Sequence, residues 1–199
     1  EVLANTGSTD VSFVDQGQDY LTTANGGLKS TGSQFDFAIR GDAWFMIETP
    51  SGNMLTRDGR FTLTAAGQLV NVDGYPVLDP GEAPIELDPD GEPPKAGRDG
   101  GLTQDGFRRG AIGLFAADFS DGFTRKASLG IVPTIPPEPV VDADSAGLVQ
   151  GYIENSNVNA MAEMSRLIMI SRAFENVSAM TKSTEDVFKE AIRTLGSGR

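Results

Sequence analysis

The stretch GYIENSNVNAMAEMSRLIMISRAFENVSAM, Gly151 to Met180, decides how this chain is read. It is a nearly neutral run of Met, Ile, Leu, Phe and Val near the end of a strongly acidic sequence. No proline or glycine follows it until Gly196. From Leu167 the apolar and small positions advance by alternating steps of three and four: Ile170, Phe174, Val177, Thr181, Thr184, Phe188, Ala191 and Leu195. That is a heptad seam. Beside it runs a second stripe of Met161, Met164, Ile168, Met180, Val187 and Ile192. The pattern predicts a helix from Asn157 to Leu195, capped by Ser156 and Asn157, with Glu163 near its positive end. Such a helix is roughly 57 Å long, about twice the width of a domain of ~100 residues, so much of it overhangs. Six sizeable apolar seam side chains leave on the order of 10 kcal/mol of burial unclaimed without a partner. The helix either folds back onto its own domain or is meant for another chain. The width of its apolar arc favours another chain.

Charge is divided along the chain. The net charge is −12. Residues 151–199 hold six acids and six bases, whereas residues 1–150 hold 22 acids against 10 bases. An acidic body repels phosphate backbones and anionic lipid, which argues against nucleic-acid and membrane-surface partners. With no cysteine and no histidine, disulfides, thiolate nucleophiles, Ser-His-Asp relays and zinc sites with nitrogen or sulfur ligands are excluded. No stretch of 18 apolar residues occurs, so membrane insertion is not expected. The sequence opens at Glu1 rather than methionine, and a preceding segment is expected.

With 24 glycines and 11 prolines, the rest of the chain suits short strands joined by turns. Residues 1–34 are an extended lead-in with one alternating patch, VSFVD (Val11 to Asp15). Residues 35–133 form a β domain. FDFAIRG and AWFMIET are strands, PSGN a hairpin turn, MLTRDGRFTLT a further pair turning at Asp58-Gly59, and QLVNV a strand before Asp73-Gly74. Residues 79–106 combine acid, proline and glycine around one strand, IEL; GAIGLFAADF and KASLGIV follow. Residues 134–150 are a proline-rich connector and return strand, and 151–199 the helical segment. The fold class is mainly β, a small antiparallel barrel or sandwich, with a long C-terminal helix.

Arg57-Asp58-Gly59-Arg60 reads as a charged hairpin tip, solvated or in contact with another subunit. Trp44, the only tryptophan, packs in the β core or marks a contact surface. The acids of DPDGE (Asp88 to Glu92) suggest calcium, but a ligating loop needs glycine where Pro93 stands, so no metal and no cofactor is expected. Chemistry without His or Cys would rest on paired carboxylates, and no two acids share an apolar pocket in the sequence, so no catalytic residue is assigned. A secreted β binding module with an oligomerising helix stays open as an alternative.

Two stretches together carry a family resemblance. FDFAIRGDAWFMIETPSGNMLTRDGRFTLTAAGQLVNVDGYPVL resembles a block shared by bacterial flagellar rod and hook proteins, on Phe35, Phe37, Ile39, Gly41, Trp44, Phe45, Arg57, Asp58, Gly59, Phe61, Gly67, Leu69, Val70, Gly74 and Tyr75. GYIENSNVNAMAEMSRLIMISRAFE resembles their C-terminal block. The form Arg172-Ala173-Phe174-Glu175 and the terminal AIRTLG look most like the proximal rod subunits, with distal rod and hook-type subunits as the rival. The resemblance implies a non-enzymatic axial building block of the flagellar basal body, exported and spanning the periplasm. It also implies other rod and axial proteins as partners, and an N-terminal helix, absent before Glu1, that pairs in cis with the C-terminal one. The interface positions it implies are Asn157, Met161, Met164, Leu167, Ile168, Ile170, Phe174, Val177, Thr181, Phe188 and Leu195. Asp42-Ala43-Trp44 departs from the usual Gly-x-Gly-Phe, which puts the local strand geometry in question.

Overall fold

The computed structural model describes residues 21, 23–126, 130–140 and 146–196; the expected strand VSFVD lies outside them. Among the described residues fifteen short strands precede one helix. They are β1 (Leu28–Ser30), β2 (Phe37–Gly41), β3 (Phe45–Thr49), β4 (Gly52–Thr56), β5 (Phe61–Leu63), β6 (Leu69–Asn71), β7 (Lys95–Ala96) and β8 (Gly101–Gln104). Then follow β9 (Phe107–Ala111), β10 (Phe115–Ala116), β11 (Phe123–Arg125), β12 (Ile131–Pro133), β13 (Glu138–Pro139), β14 (Ala146–Gln150) and β15 (Tyr152–Glu154). The helix, α1, spans Ala160–Gly196.

All strand pairs are antiparallel, in one sheet of four strands (order β11-β12-β4-β3), one of three (β7-β8-β9) and four pairs. The strands do not close into a barrel: among the described residues the largest sheet holds four, and its ends are not joined. The expected mainly β body with a long C-terminal helix is what the structure shows; of the expected barrel or sandwich, only the closed barrel is not formed. Single bridges such as Trp44 with Phe115 and Ile47 with Val77, together with side-chain packing, join the small sheets into one body.

The core explains the strand pattern. Ala43 to Ile47 are all buried, and successive side chains alternate between two apolar clusters. Phe45 and Ile47 enter one with Phe37, Ile39, Phe61 and Leu69; Trp44 and Met46 enter the other with Leu55, Leu78 and Phe115. A strand covered on both faces reads as a continuous apolar run, as AWFMI does. Phe45 meets Phe61 edge to face at 5.1 Å.

FDFAIRG and AWFMIET do become strands, but in different sheets: β3 pairs with β4, whereas β2 pairs with the distant β14. The proline-rich stretch expected as a connector is partly stitched to the body, because β13 pairs with β10 and the Val140 N–H donates to the Leu114 carbonyl at 2.7 Å. IEL makes only an isolated bridge, Glu86 with Gln68, and the sheet β7-β8-β9 lies after it, β9 overlapping the start of the expected strand GAIGLFAADF. Its hairpin turns at Asp105 and Gly106, both with positive φ, and its buried Leu102 and Gln104 are hidden in the sequence among Gly and Asp.

Candidate assembly site

Every described side chain of α1 is exposed. The large apolar residues of both stripes range from 50 % exposed for Ile168 to 85 % for Leu195. The seam residues Leu167, Ile170, Phe174, Val177, Phe188 and Leu195 and the neighbouring Met161, Met164 and Ile168 therefore lie on one uncovered helix, and none joins the body's core. At the polar seam positions the hydroxyls are already satisfied within the helix. Thr181 donates to the Val177 carbonyl at 3.0 Å and Thr184 to that of Met180 at 2.9 Å. Burying them against a second helix leaves no unpaired donor.

The helix starts later than expected. Asn159 caps it, its Oδ1 accepting from the N–H groups of Met161 (3.1 Å) and Ala162 (3.2 Å). Asn157 is therefore neither in α1 nor its cap. Its Nδ2 donates to the Ala24 carbonyl at 2.6 Å, tying the approach to the helix to the lead-in. Ser-Asn-Val-Asn offers two Asn candidates, and the side chain of the first is engaged by Ala24.

This tie belongs to a joint that sequence reasoning missed. β1 of the lead-in pairs with β15, and the Asn155 N–H donates to the Gly27 carbonyl at 2.9 Å. The two strands come so close that a Cβ on Gly26 would stand 1.7 Å from the Asn155 carbonyl oxygen, which requires glycine there. Arg57 locks the joint to the body. Its Nε donates to Glu154 Oε2 at 2.9 Å, its Nη1 to the carbonyls of Gly41 (3.0 Å) and Ala43, and its Nη2 to Asn25 Oδ1. Its guanidinium also lies 5.5 Å from the Trp44 ring centroid. Glu154 accepts a further bond from the Gly26 N–H at 2.7 Å. One arginine thus holds lead-in, β body and helix approach together.

Arg57-Asp58-Gly59-Arg60 is not a hairpin tip. The segment lies along β2, the Phe37 N–H donating to the Gly59 carbonyl at 2.9 Å. A Cβ on Gly59 would fall 1.8 Å from the Phe37 carbonyl oxygen, so this glycine serves close approach rather than a turn. Asp58 accepts from Arg60 Nε at 2.9 Å and Nη2 at 2.6 Å. Partial burial pushes the Asp58 carboxyl up, but the hydrogen bonds and charge of Arg60 outweigh this and hold it below its ordinary value. The other family-motif residues form the body: Phe37, Ile39, Trp44, Phe45, Phe61, Leu69 and Val70 are buried, and Phe35 and Tyr75 pack partly buried against the core. Gly41, Gly67 and Gly74 hold positive φ angles of 106°, 84° and 84°. Among the described residues no three acids gather as a metal site, and no helix is long and apolar enough to cross a membrane.

Comparison with known proteins accounts for this split between body and helix. Residues 38–104 match the family model of the flagellar hook protein FlgE/F/G D1 domain, and residues 149–194 that of the flagellar basal body rod FlgEFG protein C-terminal region. The flagellar basal-body rod protein FlgF of Mesorhizobium japonicum is 51% identical over 197 residues, covering 99% of this chain and 82% of that protein. That of Rhizobium meliloti is 51% identical over 100% of this chain and 83% of its own length. That of Caulobacter vibrioides is 36% identical over 96% and 77%. The chain belongs to the flagellar basal-body rod protein family.

Proposed function

We propose that this structural subunit of the flagellar basal-body rod polymerises through α1, with the β body carried outside the helical axis. The single observation behind this reading is a helix of 37 residues whose described side chains, both apolar stripes included, are all exposed. A helix of this composition is marginal alone in water and gains its stability by packing. The two stripes give it two neighbours. One is a helix upstream of Glu1 in the same subunit: the lead-in pairs with β15 and its Ala24 carbonyl meets Asn157 at the base of α1, which brings the lead-in and the start of the helix together there. The other is a further rod or axial subunit, in head-to-tail contacts that build a helical shaft. The proximal rod is the position we assign, and the chain works without catalysis as a load-bearing part.

The absence of cysteine makes the test direct. Leu167→Cys and Phe174→Cys, introduced singly into the full-length subunit in motile cells, should crosslink to other rod subunits with a short bismaleimide. Lys182→Cys, off both stripes, should do so far less. Intact basal bodies with no crosslink from either seam position would refute the reading.

A further inference from the structure

Asn25-Gly26 is the one Asn-Gly pair in the sequence, and it lies in the joint between lead-in and helix approach. Glycine has no side chain to shield its nitrogen, so in a mobile chain that nitrogen reaches the preceding asparagine side chain. A bond forms from the glycine nitrogen to Cγ, and the Cγ–Nδ2 bond breaks. Ammonia leaves with the backbone proton, and a cyclic imide remains. Water then opens the ring to aspartate or to isoaspartate, whose main chain runs through the side-chain carbons and is longer by one atom. The joint holds each group that this reaction uses. The Gly26 N–H donates to Glu154 Oε1 at 2.7 Å, Asn25 Oδ1 accepts from Arg57 Nη2, and Asn25 Nδ2 donates to the Gly41 carbonyl at 3.3 Å. Arg57 is fixed in turn by Glu154 and by the carbonyls of Gly41 and Ala43. Turning Cγ over the Gly26 nitrogen therefore breaks both bonds of the side-chain amide. Removing the Gly26 proton would also set an amide anion against the Glu154 carboxylate. Asn25 is exposed, so water reaches it, and geometry is what holds the reaction back.

We propose that Asn25-Gly26 is a self-modification site kept silent by the Arg57–Glu154 pair, and that its reaction makes opening of the joint irreversible. The lead-in is tied to the approach to α1 on either side of the Asn25–Gly26 bond. The Ala24 carbonyl accepts from Asn157 Nδ2 at 2.6 Å, and the Gly27 carbonyl from the Asn155 N–H at 2.9 Å. Isoaspartate lengthens the link between these ties, so both cannot be kept. There is no slack to absorb it, since a Cβ on Gly26 would already stand 1.7 Å from the Asn155 carbonyl oxygen. The aspartate product replaces the donor to the Gly41 carbonyl with a second acceptor. A joint that stays closed keeps its asparagine, whereas one that opens and reacts stays open. The base of α1 is then released from the lead-in, whatever the helix packs against.

The test ages the whole chain in mildly alkaline buffer made with heavy-oxygen water, and mass spectrometry of the peptide holding residue 25 reads the solvent oxygen taken up. Folded, Asn25 should react roughly tenfold or more slowly than in denaturant. Arg57→Met and Glu154→Gln, each measured where the Trp44 signal shows the body still folded, should recover much of that difference. Neither substitution alters the reacting pair itself. The isolated isoaspartate form should lose the protection of the Asn155 amide against hydrogen exchange. Equal rates in the folded and denatured chains overturn the proposal, as does a rate that either substitution leaves unchanged. An Asn155 amide as well protected in the isoaspartate form as in the fresh chain overturns it too, because the joint would then have closed again.

Discussion

Ile47 in β3 is fully buried, whereas Ile170 in α1 is 59 % exposed; Phe45 is fully buried, whereas Phe174 is 72 % exposed. The residue types are the same and their fates are opposite. In the body each apolar run finds cover within the chain, sometimes from far along it, as when β2 pairs with β14 more than a hundred residues later. In α1 a heptad pattern as regular as any strand alternation finds none. Hydrophobic periodicity states which face of an element will be buried. Whether the cover belongs to the same molecule is a separate matter, and length decides it here: 37 helical residues extend roughly 55 Å, further than a body of this size can reach.

The largest effect that sharpens this contrast is expected on the helix. Replacing Leu167, Ile170 and Phe174 together by Asp should remove roughly 5–9 kcal/mol of association energy and abolish co-assembly with rod subunits, by sedimentation. The body's melting temperature should stay within about 2 °C, because these side chains touch none of its core. The mirror experiment is Phe45→Ala, which should cost about 3–5 kcal/mol of body stability in denaturant titration. Arg57→Met comes next. It leaves Glu154 without its cation in a pair whose side chains are only 16% and 10% exposed, and should cost about 2–3 kcal/mol. It should also loosen the lead-in, seen as faster proteolysis near residues 24–27. The smallest effect is titration. Asp58 has a lowered folded pKa, so its contribution is present above the ordinary Asp range and is lost as pH falls through the folded value. With Arg60 half exposed the amount is below about 1 kcal/mol. The acid-side fall in stability should be shallower in Asp58→Asn.

Much of this division was legible beforehand because it rests on local pattern. AWFMIET announces a strand, though not that both its faces are covered, and the steps of three and four announce the helix. What stayed hidden depends on partners distant in sequence. Nothing in TRDGRF tells that Arg57 will reach Glu154, 97 residues on, or that Gly59 is needed for closeness to Phe37 rather than for a turn. The sheet of β7, β8 and β9 was hidden by its own turns, since two Asp-Gly pairs dilute the buried Leu102 and Gln104. Whether the body was a barrel or a sandwich stayed open, because turn spacing shows how many strands there are but not whether the last returns to the first. The interface role of the seam is a reading of exposure and pattern, and the crosslinks bear on it directly.

Amide hydrogen exchange on the dilute, monomeric chain tests the division between body and helix most directly. Amides of α1 from Met161 to Leu195 should exchange orders of magnitude faster than those of β3 and β4, and slow down only when rod subunits are added. Protection in α1 equal to that at Phe45 and Leu55 in the lone monomer would show that the helix is covered by its own molecule, contradicting its role as the assembling surface.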